Sequence, residues 1–543
     1  MSAPILLRNL ASNVADSARR LRGALALPKG GGFWVRLRVE APFSELPGGL
    51  TLPGAPPLPP LLVTVLEALD VAARDPRVHG VFVRIAGSPG GFAATETLRR
   101  SLRAVRDAGK PVVVYADRLG AEELLLASVA TRIVMPEAGS VFLVGLRAES
   151  FFWKGLLDRF GVRPDVVRVG DFKSAAESFT RTSMSDAQRE QLEVLLDDQF
   201  TVLVEGLAEA RDLSEADVRA LIDRGPYGAD AAREAGLITD CLFPDQLEAL
   251  LADLSGLPAP GPGGENPVPS VDVAGYHANR AGLGGWAPLL RERPRIAYLV
   301  AAGTIRSGSG SRGVCSDAYR RLLHRLQLDD RIRGVVLRID SPGGDALASD
   351  LIWRSVEQLN AEKPVVVSMG AVAASGGYYI AAAADAIVAE RTTLTGSIGV
   401  VGGKVDLSGL AENAGVGHEA IDRGERAGLL SPVRAFSPDE RAVLRDEMRS
   451  MYDRFLGRVA EGRELEVERV RKLASGRVWS GVQAREHELV DLLGGPLEAV
   501  AEVKRRAGLM PSDPCELELH PRRPRLGSLL RGLGGGWGAG ELA

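Results

Sequence analysis

The stretch GVVLRIDSPGGD, residues 334–345, joins an apolar run to a pair of glycines. A short, continuous apolar run is typical of a strand that is buried on both faces, as in a parallel sheet. The residues that follow, 345–360, repeat apolar side chains at helical spacing. Strand, glycine turn and helix in this order indicate an α/β fold whose parallel strands are joined by right-handed crossovers.

The same pattern occurs twice in the chain. GVFVRIAGSPGGF, residues 80–92, matches the quoted stretch. Further blocks repeat in the same order at an offset of about 254 residues. These blocks are 110–135 with 363–389, 161–173 with 415–427, and 218–240 with 470–491. Collinear matches at a nearly constant offset indicate a tandem duplication of one βα-repeat unit.

The duplication defines the domain boundaries that we expect. The N-terminal copy covers residues 31–255 and the C-terminal copy covers 293–510. Residues 256–292 are rich in Pro and Gly, which predicts a linker. The Gly/Arg-rich residues 511–543 are expected to form a mobile tail. Residues 1–30 are expected to form an amphipathic N-terminal helix.

The segment 4–27 has apolar side chains at helical spacing and carries four arginines. Such a basic amphipathic helix either packs on its own domain or lies on a membrane surface. The segment lacks the apolar region of a secretory signal peptide. The chain has no run of 18 apolar residues, so no transmembrane helix is expected.

Composition excludes several classes of protein. With 543 residues, 45% hydrophobic and 25% charged, the chain is predicted to be a soluble globular protein with more than one domain. A net charge of −4 argues against nucleic-acid binding through phosphate contacts. Cys241, Cys315 and Cys515 are far apart, and the six histidines form no metal-binding pair. We therefore expect no disulfide framework, no metal and no cofactor.

Two turns of the C-terminal copy carry groups that suit acyl transfer. Gly343 and Gly344 lie where a strand gives way to a helix, and free backbone N–H groups there bind an anion or an oxyanion. Ser375 lies at the next such turn, in AASGGYYIAAA (373–383), and Gly376 follows it. Because both turns lie at one edge of a parallel sheet, the Ser hydroxyl is expected between two sets of backbone donors.

The first copy has lost this serine. Its counterpart is Ala121 or Glu122, depending on where the insertion falls. A serine that only caps a helix would not explain the glycines after it, nor require its loss in one copy. We therefore interpret Ser375 as a nucleophile rather than as a cap.

A serine nucleophile needs a base, and three residues are candidates. His418 lies in a predicted loop, and Lys404 follows the string GSIGVVGG. Lys173 belongs to the first copy, and its counterpart in the second copy is Ala427. One copy therefore has Lys without Ser and the other has Ser without Lys, which favours a composite site. A lysine can act as the base only if burial lowers its pKa from about 10.4.

Four long strings resemble one known family. They are GDFKSAAESFTRTSMS (170–185), RIDSPGGD (338–345), SMGAVAASGGYYIA (368–381) and TTLTGSIGVVGG (392–403). Through these strings the chain resembles the long, two-domain signal peptide peptidase family over residues 80–510. The resemblance implies tandem ClpP/crotonase-like domains and a Ser/Lys serine peptidase without a cofactor.

The resemblance also implies roles for individual residues. These are the nucleophile Ser375, the general base Lys173, the lysine-orienting Ser397, and an oxyanion hole of Gly343 or Gly344 together with Gly376. It implies a homotetramer that cleaves remnant signal peptides. Members of the long type usually carry an N-terminal membrane anchor, and the sequence departs from this pattern. The resemblance implies membrane association, with peripheral contact through residues 4–27 as a substitute for the anchor, and a cytoplasmic location is the alternative.

Two other interpretations remain open at this point. A crotonase-type acyl-CoA enzyme would use paired oxyanion amides without a serine nucleophile, but acidic residues are absent around the string AVAASGGYY. A catalytically decayed, peptide-binding scaffold would explain the loss of the serine from one copy. The presence of Ser375, Lys173 and Ser397 in one chain argues against decay.

Overall fold

A computed structural model shows a two-domain α/β protein. The structure describes Val14, Leu21 and residues 26–28, 32–47, 59–261, 267–279, 294–310, 312–510, 513 and 515–522. The helix predicted at residues 1–30 lies mostly outside the described residues, and so does most of the predicted tail.

The N-terminal domain alternates strands and helices, as the repeat pattern predicts. Its strands are β1 Phe33–Val39, β2 Val78–Ile85, β3 Val112–Ala116, β4 Arg118–Leu119, β5 Arg132–Met135, β6 Ser140–Val141, β7 Arg163–Val169, β8 Tyr227–Gly228, β9 Asp240–Cys241 and β10 Ser270–Asp272. Its helices are α1 Leu62–Arg74, α2 Phe92–Asp107, α3 Ala121–Ala127, α4 Lys154–Arg159, α5 Glu177–Thr180, α6 Asp186–Arg211, α7 Glu215–Arg224, α8 Ala229–Glu234, α9 Leu247–Leu254 and α10 Val273–Asn279.

The C-terminal domain repeats this order. Its strands are β11 Arg295–Ala302, β12 Ile305–Arg306, β13 Val314–Cys315, β14 Ile332–Ser341, β15 Val365–Ala374, β16 Ala386–Ala389, β17 Leu394–Gly396, β18 Val400–Asp406, β19 Val478–Trp479, β20 Leu492–Leu493 and β21 Glu516–His520. Its helices are α11 Ser316–Leu328, α12 Ala346–Asn360, α13 Gly376–Ala381, α14 Ser408–Asn413, α15 Pro438–Gly462, α16 Val467–Leu473, α17 Gly481–Glu486 and α18 Pro496–Arg506.

The main sheets confirm the predicted fold class. The N-terminal sheet has the order β10-β1-β2-β3-β5-β9, and each neighbouring pair is parallel. The C-terminal sheet has the order β21-β11-β14-β15-β17-β19, parallel except for the β17–β19 pair. Side chains such as Val83 and Val335 are fully buried because helices cover both faces of each sheet.

Two predicted irregular segments contain regular structure. Within the predicted linker 256–292, β10 pairs with β1, and the Tyr276 hydroxyl in α10 lies 3.0 Å from the Asp75 carboxylate. Within the predicted tail 511–543, β21 pairs with β11 at the edge of the C-terminal sheet. Both expectations were wrong for these parts, because short edge strands depend on pairing with distant residues rather than on local composition.

The two domains share a pair of strands. Strand β7 of the N-terminal domain runs antiparallel to β18 of the C-terminal domain, with Val167 opposite Gly402. Strand β7 is followed directly by the loop that carries Lys173. The pairing therefore brings the N-terminal lysine segment to the C-terminal domain.

Candidate active site

Ser375 lies at the junction of β15 and α13, in a conformation that few residues adopt. Its φ is 55° and its ψ is −119°. Non-glycine residues with positive φ are uncommon, and they concentrate at functional sites where the surrounding structure holds them. Here the Ser375 N–H donates to the Gly396 carbonyl (2.8 Å), and the Ser375 carbonyl accepts from the Tyr379 N–H (2.9 Å). The backbone is therefore held on both sides, and the hydroxyl is raised above the turn.

Lys173 reaches this serine from the other domain. Its Nζ lies 3.0 Å from Ser375 Oγ and donates to the carbonyl and the Oγ of Ser397, at 2.8 and 2.9 Å. The lysine is 6% exposed. Because burial disfavours the charged form, the pKa of Lys173 is lowered to about 8. The structure thus brings Ser375, Lys173 and Ser397 together.

Backbone hydrogen bonds to residues 475–477 of the C-terminal domain hold both the lysine segment and the segment of Ser397. The Phe172 N–H donates to the Ser475 carbonyl (2.9 Å), and the Ser397 N–H donates to the Arg477 carbonyl (2.7 Å). Gly476 lies between these contacts with a φ of +80°, and a Cβ there would meet Lys173 Cβ at 2.7 Å. Only glycine allows this approach. Gly476 could not be predicted from the sequence, because a single glycine in a loop gives no local signal of a close contact with a residue so far away in the chain.

The loop after Lys173 is held by a buried carboxylate. Glu177 is 2% exposed and accepts from Arg168 (2.9 Å) and from the N–H and hydroxyl of Ser185 (3.1 and 2.9 Å). Burial alone would raise the pKa of Glu177, but these hydrogen bonds lower it. The loop that carries Lys173 is therefore attached at both ends.

The glycine turn lies against the serine turn. A Cβ on Gly343 would stand 2.8 Å from Ser375 Cβ and 2.7 Å from the Gly376 nitrogen. The Gly343 N–H already donates to Ser341 Oγ (3.2 Å). Gly376 is the first residue of α13, and N–H groups in a first turn have no partner within their helix. Of Gly343 and Gly344, Gly344 is therefore the better candidate for an oxyanion donor beside Gly376.

The other two candidate bases, Lys404 and His418, do not bond to Ser375 in the described chain. The Nζ of Lys404 donates to the Leu429 carbonyl (2.9 Å) and lies over the Phe436 ring, 4.4 Å from its centroid. His418 is exposed. Neither residue forms a hydrogen bond with Ser375 among the contacts of the described chain, which leaves Lys173 as the candidate base.

The equivalent place in the first copy is closed. The Ser88 hydroxyl in the first SPGG turn donates to the Glu122 carboxylate (2.8 Å), and the Gly90 N–H donates to Ser88 Oγ (3.1 Å). The Glu122 carboxylate is therefore held against the first SPGG turn, which matches the turn beside Ser375 in the second copy. A carboxylate beside backbone donors also repels a developing oxyanion.

The described part of the chain has neither a metal-binding cluster nor a membrane-spanning helix. It contains no group of three or more His, Cys, Asp or Glu residues that could hold a metal ion. No helix of that part is long and apolar enough to cross a membrane.

Comparison with known proteins identifies the family. The family model described as Peptidase family S49 matches residues 104–257 and 357–510, which together exceed half of the chain. A model described as Clp protease matches residues 296–398. The chain belongs to peptidase family S49 and is a serine peptidase, built from two copies of the family's α/β domain.

Several proteins that are similar to the chain are named as proteases or peptidases. The chain is 34% identical to Serine protease SPPA, chloroplastic, of Arabidopsis thaliana, covering 85% of this chain and 68% of that protein. It is 32% identical to Protease 4 of Haemophilus influenzae, covering 81% and 72%. It is 37% identical to a putative signal peptide peptidase SppA of Enterococcus faecium over 34% of this chain and 55% of that protein. Among solved structures, a ClpP1 mutant from Listeria monocytogenes matches 37% of this chain and 94% of its own, with 16% identity and a TM-score of 0.26.

Proposed function

We propose that the chain hydrolyses apolar peptides through a Ser375/Lys173 dyad. The observation that carries this proposal is the 3.0 Å separation of Lys173 Nζ and Ser375 Oγ at a buried position. A neutral lysine amine has two N–H donors and one lone pair. The carbonyl and the hydroxyl of Ser397 accept both donors, so the lone pair is left for the Ser375 proton. Ser397 thus acts as the orienting residue.

The reaction follows from this geometry. Lys173 accepts the proton of Ser375 as Oγ attacks the peptide carbonyl, and the N–H groups of Gly344 and Gly376 stabilise the oxyanion. Lys173 then gives the proton to the leaving amine, and an ester links Ser375 to the acyl part of the peptide. Water attacks this ester with Lys173 again as the base, which releases the acid and restores the serine.

Substitution of the dyad tests the mechanism. We expect Ser375→Ala and Lys173→Ala each to lower kcat/KM for an apolar peptide ester by about three orders of magnitude or more. Lys173→Arg should be as inactive as Lys173→Ala, because a guanidinium keeps its proton. Lys404→Ala is the matched control and should keep wild-type activity. Near-normal turnover by Lys173→Ala would disprove the dyad.

The proposed substrates are remnant signal peptides. Support comes from the similarity to the putative signal peptide peptidase of Enterococcus faecium and from the family resemblance of the sequence. We expect a synthetic signal peptide to be cleaved at least tenfold faster than a charged peptide of the same length, measured by mass spectrometry with Ser375→Ala as the blank. Equal rates for the two peptides would contradict this specificity.

Two further properties belong to the same proposal. The working form is a homotetramer, and residues 4–27 give peripheral contact with a membrane. The support for the second is the basic, amphipathic sequence of that segment. Sedimentation with anionic vesicles should deplete the full chain from the supernatant, and Arg19→Glu/Arg20→Glu should weaken this depletion. Vesicle binding that ignores both substitutions would contradict the membrane contact.

A further inference from the structure

The side chain of Arg477 joins the two domains beside the candidate site. Its guanidinium carbon lies 4.8 Å from the centroid of the Phe172 ring and 4.5 Å from the centroid of the Trp479 ring. Its Nη1 atom lies 2.8 Å from a carboxylate oxygen of Glu190. Phe172 and Glu190 belong to the N-terminal domain, whereas Trp479 belongs to the C-terminal domain. The arginine is therefore in contact with one aromatic ring from each domain.

These contacts lie at both ends of the segment that carries the candidate base. Phe172 directly precedes Lys173, and Glu190 lies near the start of helix α6, where that segment ends. Next to Glu190, the Gln191 Oε1 atom accepts from the Val478 N–H (2.7 Å). The C-terminal domain thus contacts the lysine segment just before the lysine and again where α6 begins.

The backbone of Arg477 contacts the acceptor of the lysine. Its carbonyl accepts from the Ser397 N–H (2.7 Å). Ser397 in turn accepts from Lys173 Nζ through its carbonyl and its hydroxyl. One residue therefore touches the neighbour of the base through its side chain and the acceptor of the base through its backbone. A shift of Arg477 would change the position of Phe172 relative to Ser397.

Trp479 gives the arginine a fixed support. It is 8% exposed, and its Nε1 donates to the Leu473 carbonyl (2.9 Å). It also lies opposite Thr395 in the antiparallel pair of β17 and β19. A guanidinium stacks on an aromatic face through its plane and its charge, and this attraction is stronger where water is excluded. Arg477 can therefore transmit the fixed position of Trp479 to the ring of Phe172.

The equivalent loop of the first copy forms without an arginine. Strands β6 and β8 pair as β17 and β19 do. In this register Leu143 takes the place of Ser397, and Gly225 takes the place of Arg477. Helix α8 still follows β8, as α17 follows β19. The arginine is thus not needed to form this strand and helix, and it occurs in the copy that carries Ser375.

We propose that Arg477 is a positioning residue, whose side chain holds Phe172 so that Lys173 stays within hydrogen-bond reach of Ser375 and Ser397. The inference deepens the proposed function, and its effect on catalysis rests on the proposed dyad. Among the contacts of the described chain, the Arg477 side chain does not bond to the lysine amine or to the serine hydroxyl. It acts through the ring that precedes the lysine.

The pH profile separates positioning from general stabilisation. Arg477→Met keeps an unbranched apolar stem but removes the charge and the planar group. A lysine that is held less firmly meets more water, so its pKa should rise from about 8 toward its usual range. We expect the midpoint of kcat/KM against pH to rise by about one unit, and kcat/KM at pH 7 to fall about tenfold. A lower plateau with an unmoved midpoint would overturn the inference.

The change in charge acts in the same direction as the change in water access. Loss of the positive charge of Arg477 makes a neighbouring ammonium less unfavourable, which also raises the pKa of an amine. The other charged groups on the segments around the lysine stay in place, and they include Asp171, Arg168 with Glu177, and Glu190. Both effects therefore predict an alkaline shift.

Two control variants separate this stack from others. Arg219 lies over the Phe200 ring, 5.1 Å from its centroid, in the N-terminal domain. Arg219→Met should keep the wild-type midpoint and kcat/KM, and a shift equal to that of Arg477→Met would overturn the inference. Glu190→Gln removes the ion pair but leaves the stack. Because the Glu190 side chain is 54% exposed, we expect about a threefold loss of kcat/KM or less.

A double variant tests the route through Phe172. Phe172→Leu removes the aromatic face and keeps an apolar side chain. If Arg477 acts through this ring, Arg477→Met/Phe172→Leu should lose no more activity than the weaker of the two single variants. Losses that multiply would show that the two side chains act independently, and they would overturn the inference.

Hydrogen exchange tests the contact without relying on catalysis. The Phe172 N–H donates to the Ser475 carbonyl, so its exchange should be at least tenfold faster in Arg477→Met. Strand β14 should exchange as in wild type, which shows that the variant is folded. Unchanged exchange at Phe172 would overturn the inference. A flat pH profile of the wild-type protein would instead overturn the dyad, whereas faster exchange at Phe172 would leave the contact standing.

Discussion

Lys173 is buried, and burial disfavours the charged form of its amine. The neutral form that is favoured instead has the lone pair that a base needs. Burial lowers the pKa of Lys173, and among the described residues its hydrogen-bond partners are hydroxyl and carbonyl oxygens rather than carboxylates. A carboxylate beside it would keep the amine protonated. The neutral amine is thus available at a pH where an ordinary lysine is almost wholly charged.

The pH dependence of the peptidase follows from this pKa. In the proposed dyad only neutral Lys173 accepts the serine proton, so kcat/KM should fall about tenfold for each pH unit below the pKa and level off above it. With a pKa of about 8, the rise should occur between about pH 6 and 8. Measurement of kcat/KM across about pH 6–10 checks this. A profile that is flat from pH 6 to 8 would show that another group is the base.

At the residue scale, the sequence predicted which residues lie together better than it predicted their geometry. Reciprocal loss of Ser and Lys from the two copies pointed to Ser375 and Lys173, and the structure places them 3.0 Å apart. The sequence left Gly343 and Gly344 as alternatives, because hydrogen bonding by Ser341 is not visible in a string of letters. The positive φ of Ser375 was equally hidden. Such features depend on the path of the backbone rather than on residue type.

At the scale of elements, the loop before β19 supports the lysine. The backbone of residues 475–477 contacts both the segment of Lys173 and the segment of Ser397. This loop belongs to the C-terminal domain, so the domain that supplies the serine also shapes the approach of the lysine. The position of Lys173 thus depends on close backbone packing at Gly476.

Substitution of Gly476 tests this packing. In Gly476→Ala the new Cβ would meet the Lys173 nitrogen at 2.6 Å, so the lysine segment must shift. We expect kcat/KM to fall at least tenfold, because small displacements of a catalytic group are costly. The matched control is Gly508→Ala, which has a similar φ of +70° but open space around its Cβ. If both variants lost activity equally, backbone strain rather than the contact would be responsible.

The predicted elements differ in how far the sequence determined them. Strands β2, β3, β14 and β15 lie in the apolar runs that were recognised, because burial on both faces leaves a strong pattern. Strands β10 and β21 were missed, since a strand of three to five residues at a sheet edge has too little pattern of its own. The pairing of β7 with β18 was also not foreseen, because it joins two copies that were treated separately.

At the scale of the whole molecule, a buried ion pair joins the two domains. Glu390 of the C-terminal domain is 2% exposed and accepts two hydrogen bonds from Arg100 of helix α2, at 3.0 and 2.5 Å. Nearby, Glu96 of the same helix accepts from the N–H and hydroxyl of Thr392 (3.1 and 2.6 Å). Burial, with the charge of Glu390 second, raises the pKa of Glu96 to about 7. These contacts fix the turn that precedes β17 and Ser397.

Loss of the arginine should destabilise the domain interface. Arg100→Met leaves the Glu390 carboxylate buried without its partner, a change that costs about 3–5 kcal/mol in fully buried pairs. Because Arg100 is 39% exposed, we expect a smaller loss of about 2 kcal/mol, seen as a lower melting temperature. Arg100→Met/Glu390→Gln should recover part of it. A double variant less stable than the sum of the single changes would contradict the pairing.

The proposed dyad takes one residue from each copy, and this has a consequence for the synthesis of the protein. A growing polypeptide passes through the ribosome with Lys173 first and Ser375 about two hundred residues later. An unfinished product therefore holds the base without the nucleophile, and a proteolytic fragment from the second half holds the nucleophile without the base. Under the proposed dyad, hydrolytic activity requires that translation has completed both halves and that they have docked. The proposal therefore implies that an incomplete chain is inactive during synthesis.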